Sequence, residues 1–228
     1  MKLGDLVFIV LSIFDALSVL AISFKLFRMP FLEYKKQIII TSIVIAIISF
    51  LNRVIFDIPQ FDLAIQLIIY IVALRILIKI RTFESTLIIV TGLLVYLSIQ
   101  YFIYFILMVT GLLDYAAAAS GIEGFETYVL WIGTILAVYF TAWLFFYMNL
   151  GFAFIVRPPH YFAVKSPIFS GKNRVLALGL VGGIVFICIN AILLFHMTYL
   201  WIYPLALVFS LVSTGGVYYL SHRRNLND

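Results

Sequence analysis

Seven apolar runs separated by short polar segments organise this chain. They cover roughly residues 6–24, 37–56, 63–80, 87–112, 128–153, 175–195 and 199–220. A bilayer's hydrocarbon core takes about 20 apolar residues of helix, so each run is long enough, or nearly so, for one crossing. Helix is required throughout, because the bilayer core offers no water to backbone N–H and C=O groups. No run alternates polar and apolar residues with period two, which excludes a barrel of strands. The third run is short and meets Arg75 and Lys79 before it ends, side chains that can snorkel to the headgroups. Runs six and seven are parted only by His196-Met197-Thr198, and Pro204 favours a break there. The pattern predicts an all-α protein: one domain over 1–228, a polytopic membrane bundle of seven transmembrane helices.

Composition agrees with that pattern. Of the 228 residues, 65% are hydrophobic and only 11% charged, whereas a soluble domain carries roughly 25% charged residues. The net charge of +5 does not imply a nucleic-acid partner, because the basic residues fall in small clusters between the runs. Thirteen of the fifteen lysines and arginines lie in alternate connections: Lys25 to Lys36, Arg75 to Arg81, Arg157 to Arg174, and Arg223-Arg224. The other side holds Asp5, Asp57, Asp62, Asp114, Glu123 and Glu126. The positive-inside rule then places the N-terminus outside and the C-terminus in the cytoplasm of a plasma-membrane protein. The first run has Asp5 and Asp15 within it and its positive cluster after it, as expected for an uncleaved anchor rather than a signal peptide.

Enzyme motifs are not found. His160, His196 and His222 are dispersed and form no metal-ligand pattern. Cys188 and His196, eight residues apart on one helix, are separated by about 12 Å along its axis. No metal, cofactor or catalytic residue is expected, and an enzyme is not the reading.

Polar side chains inside the runs are the informative ones. An Asp at the centre of a span costs about 2.5–3.5 kcal/mol on insertion scales. Asp15 is the midpoint of run one and Gln100 that of run four. Gln66 and Asn190 lie about 7 Å further outward, and Arg53 and Asp5 further still. Together they form a ladder from mid-membrane to the outside, with no comparable ladder in the inner half. Asp15 is expected to hydrogen-bond Gln100, and Arg53 to find Asp5, at similar depth, more easily than Asp15. Tyr101 and Tyr104 flank Gln100 and are candidates to line an apolar ligand cavity. Interhelical hydrogen bonding, worth about 0.6 kcal/mol per contact, is the structural alternative for these groups.

Three further features bear on partners. Gly179 and Gly183 form a GxxxG pair suited to packing within the bundle or to a homodimer seam. Residues 155–174, with Pro158, Pro159 and Pro167 among basic and aromatic side chains, read as an interfacial loop or as a docking surface for a cytoplasmic partner. Residues 113–127 read as an extracellular lid or a simple tether.

The block Phe50-Leu51-Asn52-Arg53 through Lys79-Ile80-Arg81, and the exit Tyr219-Leu220-Ser221-His222-Arg223-Arg224, resemble the multi-span membrane sensor region of Gram-positive peptide-pheromone histidine kinases, without the kinase domain. The resemblance implies a sensor or receptor-like module that binds an apolar or peptide-like signal from outside and couples to a cytoplasmic or membrane partner. A small transporter, or the membrane subunit of an exporter or immunity system, is the alternative from the same residues. The outward bias of the ladder favours the receptor, since a transporter needs polar groups along a route that opens to both faces.

Overall fold

The computed structural model describes residues 3–112, 125–152, 171–196 and 202–227. The fold is all-α. Seven helices are described: α1 (Leu3–Leu26), α2 (Lys35–Phe50, continued by a π-helical turn at Leu51–Ile55), α3 (Pro59–Leu77), α4 (Thr82–Val109), α5 (Phe125–Tyr147), α6 (Gly171–His196) and α7 (Ile202–Asn227). Several helices run past their apolar segments into polar sequence. Helix α3 starts at Pro59 rather than near residue 63, because proline suits the first helical position, where no N–H partner is needed. That shift brings Asp62 out of the expected loop and into the first turn of a helix.

Five helices are long and apolar enough to cross a membrane: Gly4–Leu26, Lys35–Ile55, Pro59–Leu77, Thr82–Val109 and Thr127–Tyr147. In α6 and α7 the described apolar stretches are shorter, Ala177–Ile189 and Ala206–Gly216.

Helix α4 is the hub. It touches α1, α3, α5, α6 and α7, and the whole stretch from Leu87 to Leu94 is buried. A helix apolar all round is one that neighbours enclose. The helix α1 packs against α2, α4 and α5, and α3 against α2, α4 and α6.

Polarity is inverted relative to a soluble protein. Small hydroxyl residues lie inside: Ser18, Ser23, Ser42, Thr91, Thr134 and Ser210 are fully buried. Most bond a carbonyl of their own helix, as Ser23 Oγ does to Val19 at 2.6 Å and Thr91 Oγ1 to Leu87 at 2.7 Å. These bonds satisfy the hydroxyl without a partner from elsewhere. The outer surface instead presents Ile39, Ile40, Ile43, Val44 and Ile47 of α2, Leu136, Phe140 and Trp143 of α5, and Phe209 and Val212 of α7. An apolar surface this extensive is suited to lipid rather than water.

Small residues set the closest approaches. A Cβ on Gly92 would stand 1.8 Å from Ser23 Oγ, and one on Gly183 would stand 2.9 Å from Val90 Cγ1. Gly183 therefore packs within the bundle, against α4, while Gly182 beside it faces open space.

The ends of α1 and α5 are tied together. The Phe152 N–H donates to the Leu26 carbonyl at 2.7 Å, Arg28 Nη2 donates to the Asn149 carbonyl, and Lys25 Nζ lies 4.3 Å above the Phe146 ring. The Phe152 ring is buried and packs on Phe27 and Tyr218. Gly151, at φ +137°, brings the chain so near the Lys25 and Leu26 carbonyls that a Cβ would stand within 2.9 Å of each.

Candidate functional site: two carboxylates inside the bundle

Among the described residues the most densely bonded polar group is Asp62, a residue that the charge pattern assigned to an outer loop. It is fully buried. Asp62 Oδ2 accepts from Ser49 Oγ at 2.8 Å, from Arg53 Nε at 2.6 Å and from Gln66 Nε2 at 2.9 Å. Asp62 Oδ1 accepts from Asn52 Nδ2 at 3.3 Å. Gln66 also reaches Ser49 Oγ at 3.4 Å.

Local geometry explains the convergence. Ser49, Asn52 and Arg53 are spaced i, i+3, i+4 at the end of α2, and Asp62 and Gln66 are spaced i, i+4 on α3, so each set shares one helix face. The π-helical turn, closed by Phe56 N–H to the Leu51 carbonyl at 2.8 Å, carries Asn52 and Arg53. Asp57, at φ +53°, then reverses the chain, so the two faces meet. A carboxylate has about four acceptor positions; three donors meet Oδ2 and one meets Oδ1. Arg53, with 29% of its side chain exposed, thus pairs with Asp62. Both Gln66 and Arg53 are engaged in holding the end of α2 to α3.

Asp15 differs. Its Oδ1 accepts from Tyr96 Oη at 2.6 Å, and the Trp131 indole N–H faces the same carboxylate. The expected bond from Gln100 is not formed: Tyr96, one turn earlier on α4, takes that place, and Gln100 stays half-buried on the next turn. The helix rotation that presents Tyr96 to α1 also turns Tyr101 and Tyr104 into the core, where both are buried. Around Asp15, Tyr70 Oη donates to the Ala16 carbonyl at 3.2 Å and Tyr139 Oη to that of Phe14 at 3.3 Å. Both hydroxyls are within electrostatic reach of Asp15. The residue is half-buried, in a seam among α1, α4 and α5.

The side chain of Asn190, residues 113–124 and residues 155–170 lie outside the described residues. Among the described residues no group of three His, Cys, Asp or Glu side chains is placed to hold a metal ion.

Sequence reasoning missed Asp62, Tyr96, Tyr70 and Trp131. For Asp62 a signal existed: Pro59 as a helix start places Asp62 in the first turn, four residues before Gln66. For the aromatics no local signal distinguishes a buried tyrosine from one at the membrane interface.

The two ends of the bundle are unlike. The middles of α1 and α4, the end of α2 and the first half of α3 carry Asp15, Tyr96, Arg53, Asp62 and Gln66. At the opposite end Phe24, Leu26, Phe27, Leu74, Ile80, Leu87 and Ile88 are all buried to within 1%. Phe24 there stands edge-on to Phe31 and Tyr34. One end is bonded between helices through the Asp62 and Asp15 side chains; the other is packed mainly by apolar side chains, with Ser23, Ser85 and Thr91 buried among them.

The fold and this interior define a multi-pass helical bundle of the membrane type. No family model matches the chain, and neither a curated protein nor a solved structure matches it.

Proposed function

We propose that this chain is a seven-span plasma-membrane sensor, with its N-terminus outside and its C-terminus in the cytoplasm. In this reading it receives an apolar or peptide-like molecule at its outer end and passes a conformational change to a cytoplasmic or membrane partner. The observation that carries the reading is the unequal interior: the carboxylates Asp62 and Asp15 with their inter-helix hydrogen bonds lie from mid-bundle toward the end assigned to the outside, and close packing mainly by apolar side chains fills the other. A receptor needs a site open to one face only. An alternating-access transporter needs the close-packed end to open as well, which would break apart the most completely buried apolar part of the bundle. The resemblance to the sensor regions of peptide-pheromone kinases points the same way.

The test is one-sided accessibility. The Ser12→Cys variant, made with Cys188→Ala, replaces a buried hydroxyl by a thiol of similar size. It should react with a small impermeant thiol reagent in intact cells and not in inverted vesicles. Reaction from both faces would indicate alternating access and overturn the sensor reading in favour of a transporter. Failure to react from either face would overturn the outward-facing site.

A further inference from the structure

Asp15 and Asp62 are both carboxylates within the bundle, yet only one is neutralised by contact. Arg53 sits directly on Asp62 at 2.6 Å. Asp15 feels that guanidinium only at a distance, and among the described residues no cation contacts it. An ionised carboxylate in such surroundings calls for a counter-charge.

What surrounds Asp15 indicates which one. Tyr96 donates to one of its oxygens, and the Trp131 indole faces it, which leaves acceptor capacity on the carboxylate. Trp131 is itself braced edge-on by Phe8 at 5.2 Å. Ser12, three residues before Asp15 and so on a neighbouring part of the same helix face, is 5% exposed. Its hydroxyl has no hydrogen-bond partner. A carboxylate with acceptor capacity to spare and an unpartnered buried hydroxyl together suit an ammonium group. Charge and hydrogen bonding then act on one atom.

We infer that the Asp15 seam among α1, α4 and α5 binds the cationic amino group of an otherwise apolar ligand, with Ser12 as a second acceptor. This deepens the proposed function and rests on it, naming the ligand as an amine-bearing amphiphile or apolar peptide with a free amino group.

A dansyl-tagged alkylamine and its N-acetylated, uncharged counterpart serve as probes. They are titrated into the full chain in nanodiscs of phosphatidylcholine, with tryptophan-to-dansyl energy transfer as the readout. Saturable transfer is expected for the amine, with affinity at least about tenfold weaker for the acetylated probe. Asp15→Asn, which keeps shape and the capacity to accept from Tyr96, should abolish that discrimination, and Asp5→Asn should leave it intact. Equal binding of both probes, discrimination that survives in Asp15→Asn, or only the non-saturable uptake seen in empty nanodiscs would overturn the inference. The Ser12→Cys accessibility pattern separates the two ideas. One-sided access with no discrimination removes the amine site alone, and discrimination with two-sided access removes the sensor reading alone.

Discussion

Arg53 donates to Asp62 at 2.6 Å across the reversal between α2 and α3, joining the exposed rim of the bundle to a carboxylate that is itself fully buried. The pair spans a π-helical turn and a left-handed Asp57, two irregularities that an uninterrupted helix and a random turn would lack. The side-chain bonds to Asp62 hold this corner together, since the backbone there lacks an unbroken α-helical ladder.

Removing one partner should therefore cost more than removing both. Arg53→Met leaves Asp62 buried without its cation and is expected to lose about 1.5–3 kcal/mol, the range for a hydrogen bond to a charged group. The double variant Arg53→Met/Asp62→Leu should recover a good part of that loss, because it leaves no unpaired charge. Thermal unfolding of the four proteins in one detergent gives the coupling energy. An additive pair of effects would count against the hub.

Gly92 should tolerate no side chain. Gly92→Ala places a methyl group 1.8 Å from Ser23 Oγ, so α1 and α4 must separate, at a cost of about 1–3 kcal/mol for overpacking. Adding Ser23→Gly should restore part of the lost stability, whereas Gly182→Ala, with nothing within 4 Å, should stay within about 0.5 kcal/mol of the parent. Melting temperatures at matched detergent decide the order.

Tyr96→Phe isolates the second carboxylate. It removes the donor that meets Asp15 at 2.6 Å, and is expected to destabilise the bundle by about 1–2 kcal/mol. In an Asp15→Leu background the same change should be close to neutral, since the hydroxyl then has no acceptor there. Persistence of the full effect in that background would assign the Tyr96 hydroxyl to another partner.

The threading has its own test. With Cys188→Ala, the Ser120→Cys variant should label with an impermeant reagent in intact cells, and the Ser170→Cys variant only after permeabilisation. Labelling of both from outside would break the seven-span arrangement.

The apolar runs alone determined that the chain is helical and where the helices lie, because the cost of exposing backbone polar groups in lipid is a local property of each segment. The lengths of the first, second and fourth runs sufficed to locate the long helices α1, α2 and α4 to within a few residues. Asp15 was legible as costly, for the same local reason. Which face of each helix turns inward was not. In a bilayer the lipid side and the core side are both apolar, so the sequence carries little of the helical period that marks a buried face in a soluble protein. Tyr96 and Gln100, one turn apart on α4, are equally plausible partners for Asp15 in sequence. The close approach of Ser23 to Gly92 goes with the rotation of α4 that selects Tyr96. Asp62 likewise became the centre of a four-donor hub only when the chain reversal after α2 laid its polar face against the first turn of α3.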